Sequence, residues 1–343
     1  MYKMKFSFLK NWLLSLMGLI VLIIIIGGLT RLTGSGLSMV DWNLFMGSVP
    51  PFGETAWNYV FNQYKNYPEY IYVNSSITLS EFKIIFMWEY IHRMLGRLIG
   101  VVILFGFVFI LINKHRYYRF ILNAAIMSVL VVSQGLLGWY MVKSGLIDIP
   151  RVSHFRLASH LALALILLEY VVWTYLGINK KKAYFSKLAI VCSTWTMCLC
   201  IQIVFGAFTS GLKAGWGYNT YPLMDGEFMP EAAFMFGSFI ENVFYNPIMI
   251  QFIHRHFPLF LVVFFLILFI AIVKSKPSKD IFVLTWIVFG VLFAQIVLGI
   301  FTLLMVVPIH LASLHQVIGV VLLTFSVGLT HLLIYRPLET MKN

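Results

Sequence analysis

The sequence has few charged residues and little cysteine. Of its 343 residues, 11% are charged and 60% are hydrophobic, and the mean hydropathy is +0.88. So low a charge content excludes an ordinary water-soluble domain, in which about 25% of residues are charged. Cys192, Cys198 and Cys200 fall in one apolar stretch, so the long polar segments hold no cysteine and no disulfide. Cys198 and Cys200 would face nearly opposite sides of a helix, so we do not expect them to chelate one metal.

Eight apolar runs account for most of the hydrophobicity. Each is long enough to cross a bilayer, which takes roughly 20 residues, and polar segments separate them. The sequence therefore predicts an all-α membrane protein with eight transmembrane helices. The predicted spans are Asn11–Leu29, Phe82–Ile112, Phe120–Met141, Leu157–Leu176, Leu188–Leu212, Ile248–Val273, Ile281–Met305 and Pro308–Ile334.

The net charge of +12 does not indicate a nucleic-acid partner, because of where the basic residues lie. They concentrate at the chain ends and in alternate short loops, whereas the long loops Thr30–Glu81 and Lys213–Pro247 hold most of the carboxylates. By the positive-inside rule, both termini are predicted to be cytoplasmic and the long loops to face outward. The basic residues that carry this prediction are Lys3, Lys5, Lys10, Lys114, Arg116, Arg119, Lys180, Lys181, Lys182, Lys187, Lys274, Lys276, Lys279, Arg336 and Lys342.

The start of the chain bears on its location. No cleavable signal and no Arg-rich, Ser-rich transit peptide is recognisable before the first span. We therefore expect a multi-pass protein of the bacterial inner (plasma) membrane, surrounded by lipid, rather than an organellar protein. The sequence leaves the oligomeric state open, and an oligomer is compatible with it.

The second half of the chain repeats the first, weakly but in order. Each half has four spans, so both halves have the same orientation in the membrane. We expect two pseudo-symmetric four-helix bundles, residues 1–187 and 188–343, each able to build a cofactor site between its helices. The segments that align are 89–93 with 251–255, 134–138 with 295–299, 157–160 with 311–315, and 27–30 with 206–209.

Four histidines lie near the outward ends of the even-numbered spans: His92, His160, His254 and His315. Their positions in the repeat arrange them as two pairs at similar depth. Two neutral imidazoles that face each other across a helix bundle can hold one haem iron, so two haem-sized sites are predicted. Two alternatives remain open: four separate interhelical hydrogen bonds, or a proton relay, although relays usually involve more buried carboxylates.

The other five histidines are weaker candidates for iron ligation. His115 is predicted in a cytoplasmic loop, His331 at the cytoplasmic end of the last span and His154 in an outer loop. His256 is about 200° round the helix from His254, so both cannot face one interior. His310 lies nearer the helix start than His315, where an interfacial role is simpler.

One position breaks the symmetry of the halves. Glu89 precedes His92 by three residues and shares its helix face, whereas the equivalent residue in the second half is Gln251. A carboxylate near the membrane interior is costly and tends to be functional; it could act as a base or stabilise a developing cation. The alternative is a structural salt bridge between Glu89 and Arg93. The asymmetry assigns chemistry to the first half and a permanent cofactor to the second.

Arginines near the outer face are candidates to pair with the two propionates of a haem, because guanidinium groups bind carboxylates well. Any of them could instead extend to lipid headgroups, and the sequence does not rank them. The candidates are Arg31, Arg93, Arg97, Arg151, Arg156 and Arg255.

Six stretches form a recognisable set: 28–38 (GLTRLTGSGLS), 81–83 (EFK), 88–97 (WEYIHRMLGR), 219–224 (NTYPLM), 251–255 (QFIHR) and 314–316 (LHQ). Together they resemble the haem A synthase family, in the variety found in proteobacteria and mitochondria. The resemblance runs through nearly the whole chain. Some bacterial relatives carry paired cysteines in the outer loops, and this chain does not, so no role of such a pair is carried over.

The resemblance implies a reaction and a ligand set. Haem O would be converted to haem A by oxidation of a ring methyl to a formyl group through successive hydroxylations. His254 and His315 would hold a b-type haem that shuttles electrons. His92 and His160 would hold the substrate haem, whose own iron takes part, with Glu89 in the reaction. Haem O synthase, the farnesylating enzyme, would be a possible partner for delivery of the insoluble substrate.

Two other functions remain to be distinguished. A transmembrane electron carrier with two permanent b haems would need only symmetric histidine pairs, so the Glu89/Gln251 difference argues against it. A non-catalytic haem transporter or chaperone would transfer haem without changing it. A channel or solute transporter fits worst, because broken helices and charges at mid-membrane depth are lacking.

Overall fold

The computed structural model of this protein describes residues 6–40, 47, 49–147, 150–178 and 183–335. Across these residues the chain is helical and forms no β-strand, which confirms the all-α prediction. Eight helices in the described residues are long and apolar enough to cross a membrane, so this is a multi-pass membrane protein. The cytoplasmic position of the termini stays a prediction. Several charged residues near the predicted cytoplasmic side lie outside the described residues: Lys3, Lys5, Lys180, Lys181, Lys182, Arg336, Glu339 and Lys342.

Twelve α-helices form in the described residues, and four of them are short. The eight long ones correspond to the predicted spans. The helices are α1 (Ser7–Leu32), α2 (Gly53–Tyr64), α3 (Pro68–Tyr72), α4 (Leu79–Ile112), α5 (Lys114–Tyr117), α6 (Ile121–Lys143), α7 (His154–Gly177), α8 (Lys187–Gly211), α9 (Phe239–Tyr245), α10 (Pro247–Lys274), α11 (Lys279–Leu304) and α12 (Ile309–Tyr335).

Helices α1, α4 and α7 each begin three or four residues earlier than the hydrophobic pattern predicts. Thr78 and Glu81 form a capping box at the start of α4: the Thr78 hydroxyl accepts from the Glu81 N–H at 3.3 Å, and the Glu81 carboxylate accepts from the Thr78 N–H at 2.9 Å. This cap satisfies two of the free amide groups of the first turn, so polar residues precede the apolar run. Helix α7 begins at His154, which the sequence places in the preceding loop.

The chain divides into two compact units, Met1–Val171 and Val172–Asn343, with the boundary inside α7. In the first unit, α1 and α6 both pack against α4. In the second unit, α8 packs against α10 and α12, and α11 packs against α12. The pseudo-symmetry of the bundles and the division of cofactor sites between residues 1–187 and 188–343 stay predictions.

In each unit, a buried tryptophan joins two helices through a hydrogen bond. The Trp12 indole N–H of α1 donates to the Val102 carbonyl of α4 at 2.9 Å, and the Trp195 indole N–H of α8 donates to the Leu261 carbonyl of α10 at 3.0 Å. An indole N–H needs such an acceptor where water is excluded. Gly106 makes room for the Trp12 ring, since a Cβ there would overlap it.

In its described residues, the segment between α1 and α4 is a folded cap rather than an open loop. Phe61 and Tyr64 of α2 pack their rings on Phe82 at the start of α4, with ring centroids 4.9 and 5.0 Å apart respectively. The Tyr64 hydroxyl donates to the buried Glu69 carboxylate at 3.1 Å and accepts from the Asn74 amide at 2.8 Å. Burial, and then the nearby Glu69 charge, raise the pKa of Tyr64, so its hydroxyl stays a donor.

Candidate functional site

His254 of α10 and His315 of α12 face each other within the second unit. Their ring centroids are 6.3 Å apart and the rings are nearly perpendicular, at 85°. A separation of roughly 6 Å suits two imidazoles that each bind one shared metal through a nitrogen about 2 Å away. The structure therefore brings together the pair that the sequence predicts for the permanent haem.

Each of the four histidines lies against a glycine of an odd-numbered span. A Cβ built on that glycine would stand 2.8 to 3.0 Å from the imidazole Cε1, which is closer than side chains tolerate. Only glycine allows this approach, so the glycines are part of the site. The pairs are Gly27 with His92, Gly138 with His160, Gly206 with His254 and Gly299 with His315.

Three glutamines contact the same histidines. The Gln202 amide donates to the His254 carbonyl at 2.8 Å and lies 2.9 Å from the ring Nδ1. Gln134 contacts His160 in the same way, with its amide 2.9 Å from the carbonyl and 3.4 Å from the ring Nε2. The Gln295 amide lies 3.4 Å from the ring Nε2 of His315.

The first unit holds the other predicted pair. His92 and His160 are close enough to interact electrostatically, and each rests on its glycine. In the described part of the chain, the Nδ1 atoms of His92, His160 and His315 are buried and have no hydrogen-bond partner. A buried nitrogen left unpaired is costly unless something binds it. Two imidazoles in each unit, three of the four with an unpartnered Nδ1 among the described residues, fit a haem, whose porphyrin supplies the other four iron ligands.

Glu89 lies one turn before His92 and is buried, with 3% of its surface exposed. Its Oε1 accepts from the Arg93 Nη2 at 2.6 Å, so the salt bridge weighed from the sequence is present. Its Oε2 accepts from the Ser38 hydroxyl and from the Met39 N–H, both at 2.8 Å. The carboxylate thus links the segment after α1 to the helix that carries His92. A role in the reaction stays a prediction.

The second unit has a similar arrangement, with an amide where the first unit has a carboxylate. Gln251 occupies the position of Glu89, and its amide donates to the Gly217 carbonyl at 2.7 Å. Arg93 donates to the Met39 carbonyl at 2.9 Å, and Arg255 approaches the Tyr218 carbonyl at 3.4 Å. A carboxylate can only accept hydrogen bonds, whereas the amide here donates one. In the described residues, the first unit therefore places a carboxylate beside its histidine pair at the position where the second unit has an amide.

Arg255 differs from the other arginines that the sequence offers as partners of a propionate. Its Nε and Nη1 are buried and have no hydrogen-bond partner among the described residues. Arg93 binds Glu89, Arg97 donates to the Arg93 carbonyl at 3.1 Å, and Arg156 donates to the Tyr140 carbonyl at 2.8 Å. Adjacent to His254, Arg255 has the free donors that a propionate would need.

The remaining histidines lie away from the two pairs. The Nδ1 of His256 lies 2.9 Å from the Phe252 carbonyl, one turn earlier in α10. His331 packs between Trp173 and Tyr335 near the end of α12. The His154 ring contacts the Phe155 ring in the first turn of α7, whereas His115 and His310 are exposed.

Sequence reasoning missed part of this site. It used Gln134 and Gln295 only as markers of the repeat and did not single out Gln202. A usable signal is present, since a glutamine stands four residues before the glycine in three of the four odd-numbered spans. The contacts of Ser38 and Met39 with Glu89 have no comparable signal, because they join residues about 50 positions apart.

Comparison with known proteins identifies the family of this chain. The family model COX15-CtaA, described as cytochrome oxidase assembly protein, matches residues 10–327. The chain belongs to the COX15-CtaA family. All four histidines, Glu89 and the three glutamines lie inside the matched range.

Relatives of this chain are similar to it over nearly their full length. A protein named heme A synthase from Pelagibacter ubique is 42% identical over 319 residues, which are 93% of this chain and 94% of the relative. The heme A synthase of Flavobacterium johnsoniae is 40% identical over 91% of this chain and 94% of the relative. That of Bartonella tribocorum is 37% identical over 93% of this chain and 90% of its own length.

Proposed function

We propose that this protein is a haem A synthase of the bacterial inner membrane, which oxidises a ring methyl of haem O to a formyl group by successive hydroxylations. Haem O is the substrate and binds in the first unit between His92 and His160. A b-type haem is held in the second unit by His254 and His315. The proposal agrees with the names of the relatives and with membership of the family.

One observation supports the assignment of the substrate to the first unit and of the permanent haem to the second. Both units offer histidines backed by glycine, yet among the described residues only the first unit sets a buried carboxylate one turn from its histidine. A carrier of two permanent haems would have no use for this difference. The Glu89/Gln251 contrast therefore favours the enzyme over the electron carrier.

The residues of the first unit hold the reacting centre. His92 and His160 orient the substrate macrocycle, and Glu89 is a base or an electrostatic partner for positive charge that develops at its edge. Arg93, Ser38 and Met39 fix the carboxylate, so no reorganisation is needed when charge appears. In the second unit, Arg255 receives a propionate. When bound there, haem b supplies electron transfer.

Delivery of the substrate follows from its chemistry. Haem O carries a farnesyl chain and is poorly soluble in water, so direct transfer from the farnesyltransferase that makes it is part of the proposal. Crosslinking in membranes that contain both proteins tests the transfer. Failure to recover a crosslinked pair would argue for delivery through the lipid.

One expression experiment separates the candidate functions. The chain is produced together with a haem O synthase in a host that makes no haem A, and the extracted haems are identified by mass. A formyl-bearing haem supports the synthase. Haem B alone in the purified protein supports the electron carrier, and haem O that is bound and released unchanged supports a transporter or chaperone.

A further inference from the structure

A glutamine accompanies three of the four histidines, and the fourth place holds an isoleucine. Gln134, Gln202 and Gln295 each stand four residues before the glycine on which the histidine rests. The same spacing before Gly27 gives Ile23. The Ile23 side chain points towards α4, since its Cδ1 lies 3.6 Å from where a Cβ on Gly96 would be, one turn after His92.

Each of the three glutamines has a side-chain oxygen that could accept a further hydrogen bond. In all three, Oε1 is buried without a hydrogen-bond partner in the described part of the chain, while the amide nitrogen faces the histidine. An imidazole that binds metal through one nitrogen carries its proton on the other, and a neighbouring acceptor then fixes the ring and raises its basicity. Rotation of the side-chain amide presents either a donor or an acceptor.

At the corresponding position, His92 contacts the backbone of Ile23 but has no glutamine side chain beside it. Its imidazole interacts with the Ile23 backbone, as His254 and His315 do with the backbone of Gln202 and Gln295. The isoleucine side chain adds no polar contact. Among the described residues, His92 is therefore the one imidazole of the four that no glutamine side chain contacts.

We propose that Gln202 and Gln295 are positioning residues that orient the two imidazoles of the second unit and set their basicity, and that Ile23 leaves His92 weakly held so that the first unit exchanges its haem. This inference rests on the proposed function. It explains how one scaffold retains a cofactor in one half and turns over a substrate in the other.

The first test concerns the retained haem. Gln202→Met and Gln295→Met keep the side-chain length but remove the amide, whereas Gln202→Glu and Gln295→Glu keep an acceptor oxygen. The readouts are haem b content, the midpoint potential and the electron paramagnetic resonance signal of the ferric haem. A more basic imidazole favours ferric iron, so we expect the methionine variants to raise the potential and the glutamate variants to lower it.

The outcomes of this test are separable. If the wild-type protein binds no haem b, the proposed function fails. If wild type and variants bind it with the same potential and the same resonance signal, the glutamines only fill space and the inference is wrong. If a methionine variant loses its haem, the glutamate variant decides, because an acceptor alone would restore binding.

The second test concerns Ile23. Ile23→Gln supplies the missing amide, and Ile23→Met is its control, with a similar length and no polar group. Each variant is produced with a haem O synthase, purified, and analysed for haem O and its oxidised products. We expect Ile23→Gln to retain several-fold more haem in the first unit than wild type or Ile23→Met. Equal retention in the two variants would overturn the assignment of Ile23.

Discussion

The Glu89 carboxylate lies 2.6 Å from the guanidinium of Arg93, one turn later in α4, and both side chains are buried. A buried ion pair is stabilising only when its remaining hydrogen-bonding groups are satisfied. Here the Ser38 hydroxyl, the Met39 N–H and the Met39 carbonyl complete the pair. The carboxylate is thus rigidly placed beside His92, which suits a group that acts on a bound substrate.

Replacement of Glu89 by glutamine tests its chemistry with little change in shape. We expect Glu89→Gln to retain haem b and to lose haem A formation by about 100-fold or more, the usual contribution of a positioned acid or base. Haem A yield and haem b content are measured on the same preparation. Glu81→Gln, at the exposed capping box of the same helix, is the control and should stay active. Full turnover by Glu89→Gln would show that the pair with Arg93 is purely structural.

Removal of a proposed axial ligand should affect the two units differently. We expect His254→Ala and His315→Ala to abolish haem b binding, and His92→Ala to leave it intact while haem A formation is lost. The absorption spectrum of the purified protein reports the bound haem. His256→Ala, on the same helix as His254, should keep the wild-type spectrum. Retention of haem b by His254→Ala would remove that residue from the site.

The glycine contacts predict a steric effect on ligation. A Cβ at Gly299 would lie 2.9 Å from the His315 Cε1, whereas a Cβ at Gly290 of the same helix has nothing within 4 Å. Gly299→Ala should therefore displace the imidazole and reduce haem b content several-fold, and Gly290→Ala should not. Gly138→Ala and Gly135→Ala form the matched pair in the first unit, where haem O binding is measured. Equal haem content in Gly299→Ala and Gly290→Ala would contradict the close packing.

The contact between Trp12 and Gly106 predicts a change in stability. A methyl group at Gly106 would overlap the indole ring, so Gly106→Ala should destabilise the first unit by about 1–3 kcal/mol, as overpacking does. Gly100→Ala in the same helix has open space around it and is the control. Thermal unfolding in detergent measures the difference, and identical melting temperatures for the two variants would argue against the packing.

The outer cap makes a prediction about pH. Because folding raises the pKa of Tyr64, its hydrogen bond to Glu69 stabilises the cap below the ordinary tyrosine value of about 10 and is lost as the pH rises through the folded-state pKa. Tyr64→Phe should cost about 1 kcal/mol at neutral pH, and the difference from wild type should shrink in alkaline solution. Melting temperatures over a pH series measure it; a constant difference would show that the phenol proton is not involved.

The sequence predicts the long helices and the histidine pairs because both depend on local patterns. Apolar runs of bilayer length mark the spans, and the repeated spacing of His92, His160, His254 and His315 marks the pairs. The cap formed by α2 and α3 escapes prediction, since Phe61 and Tyr64 gain a core only by meeting Phe82. The same holds for the Glu89 contacts with Ser38 and Met39, which the chain fold alone brings together.

Every imidazole of the two sites rests directly on the backbone of a neighbouring helix, without a side chain in between. The distance between those helices therefore sets how far each ring reaches. A bilayer that thins or thickens tilts its helices, and such a tilt would move the imidazoles directly. If the two units hold haem as proposed, lipid composition is therefore expected to change the absorption spectrum and the midpoint potential of that haem.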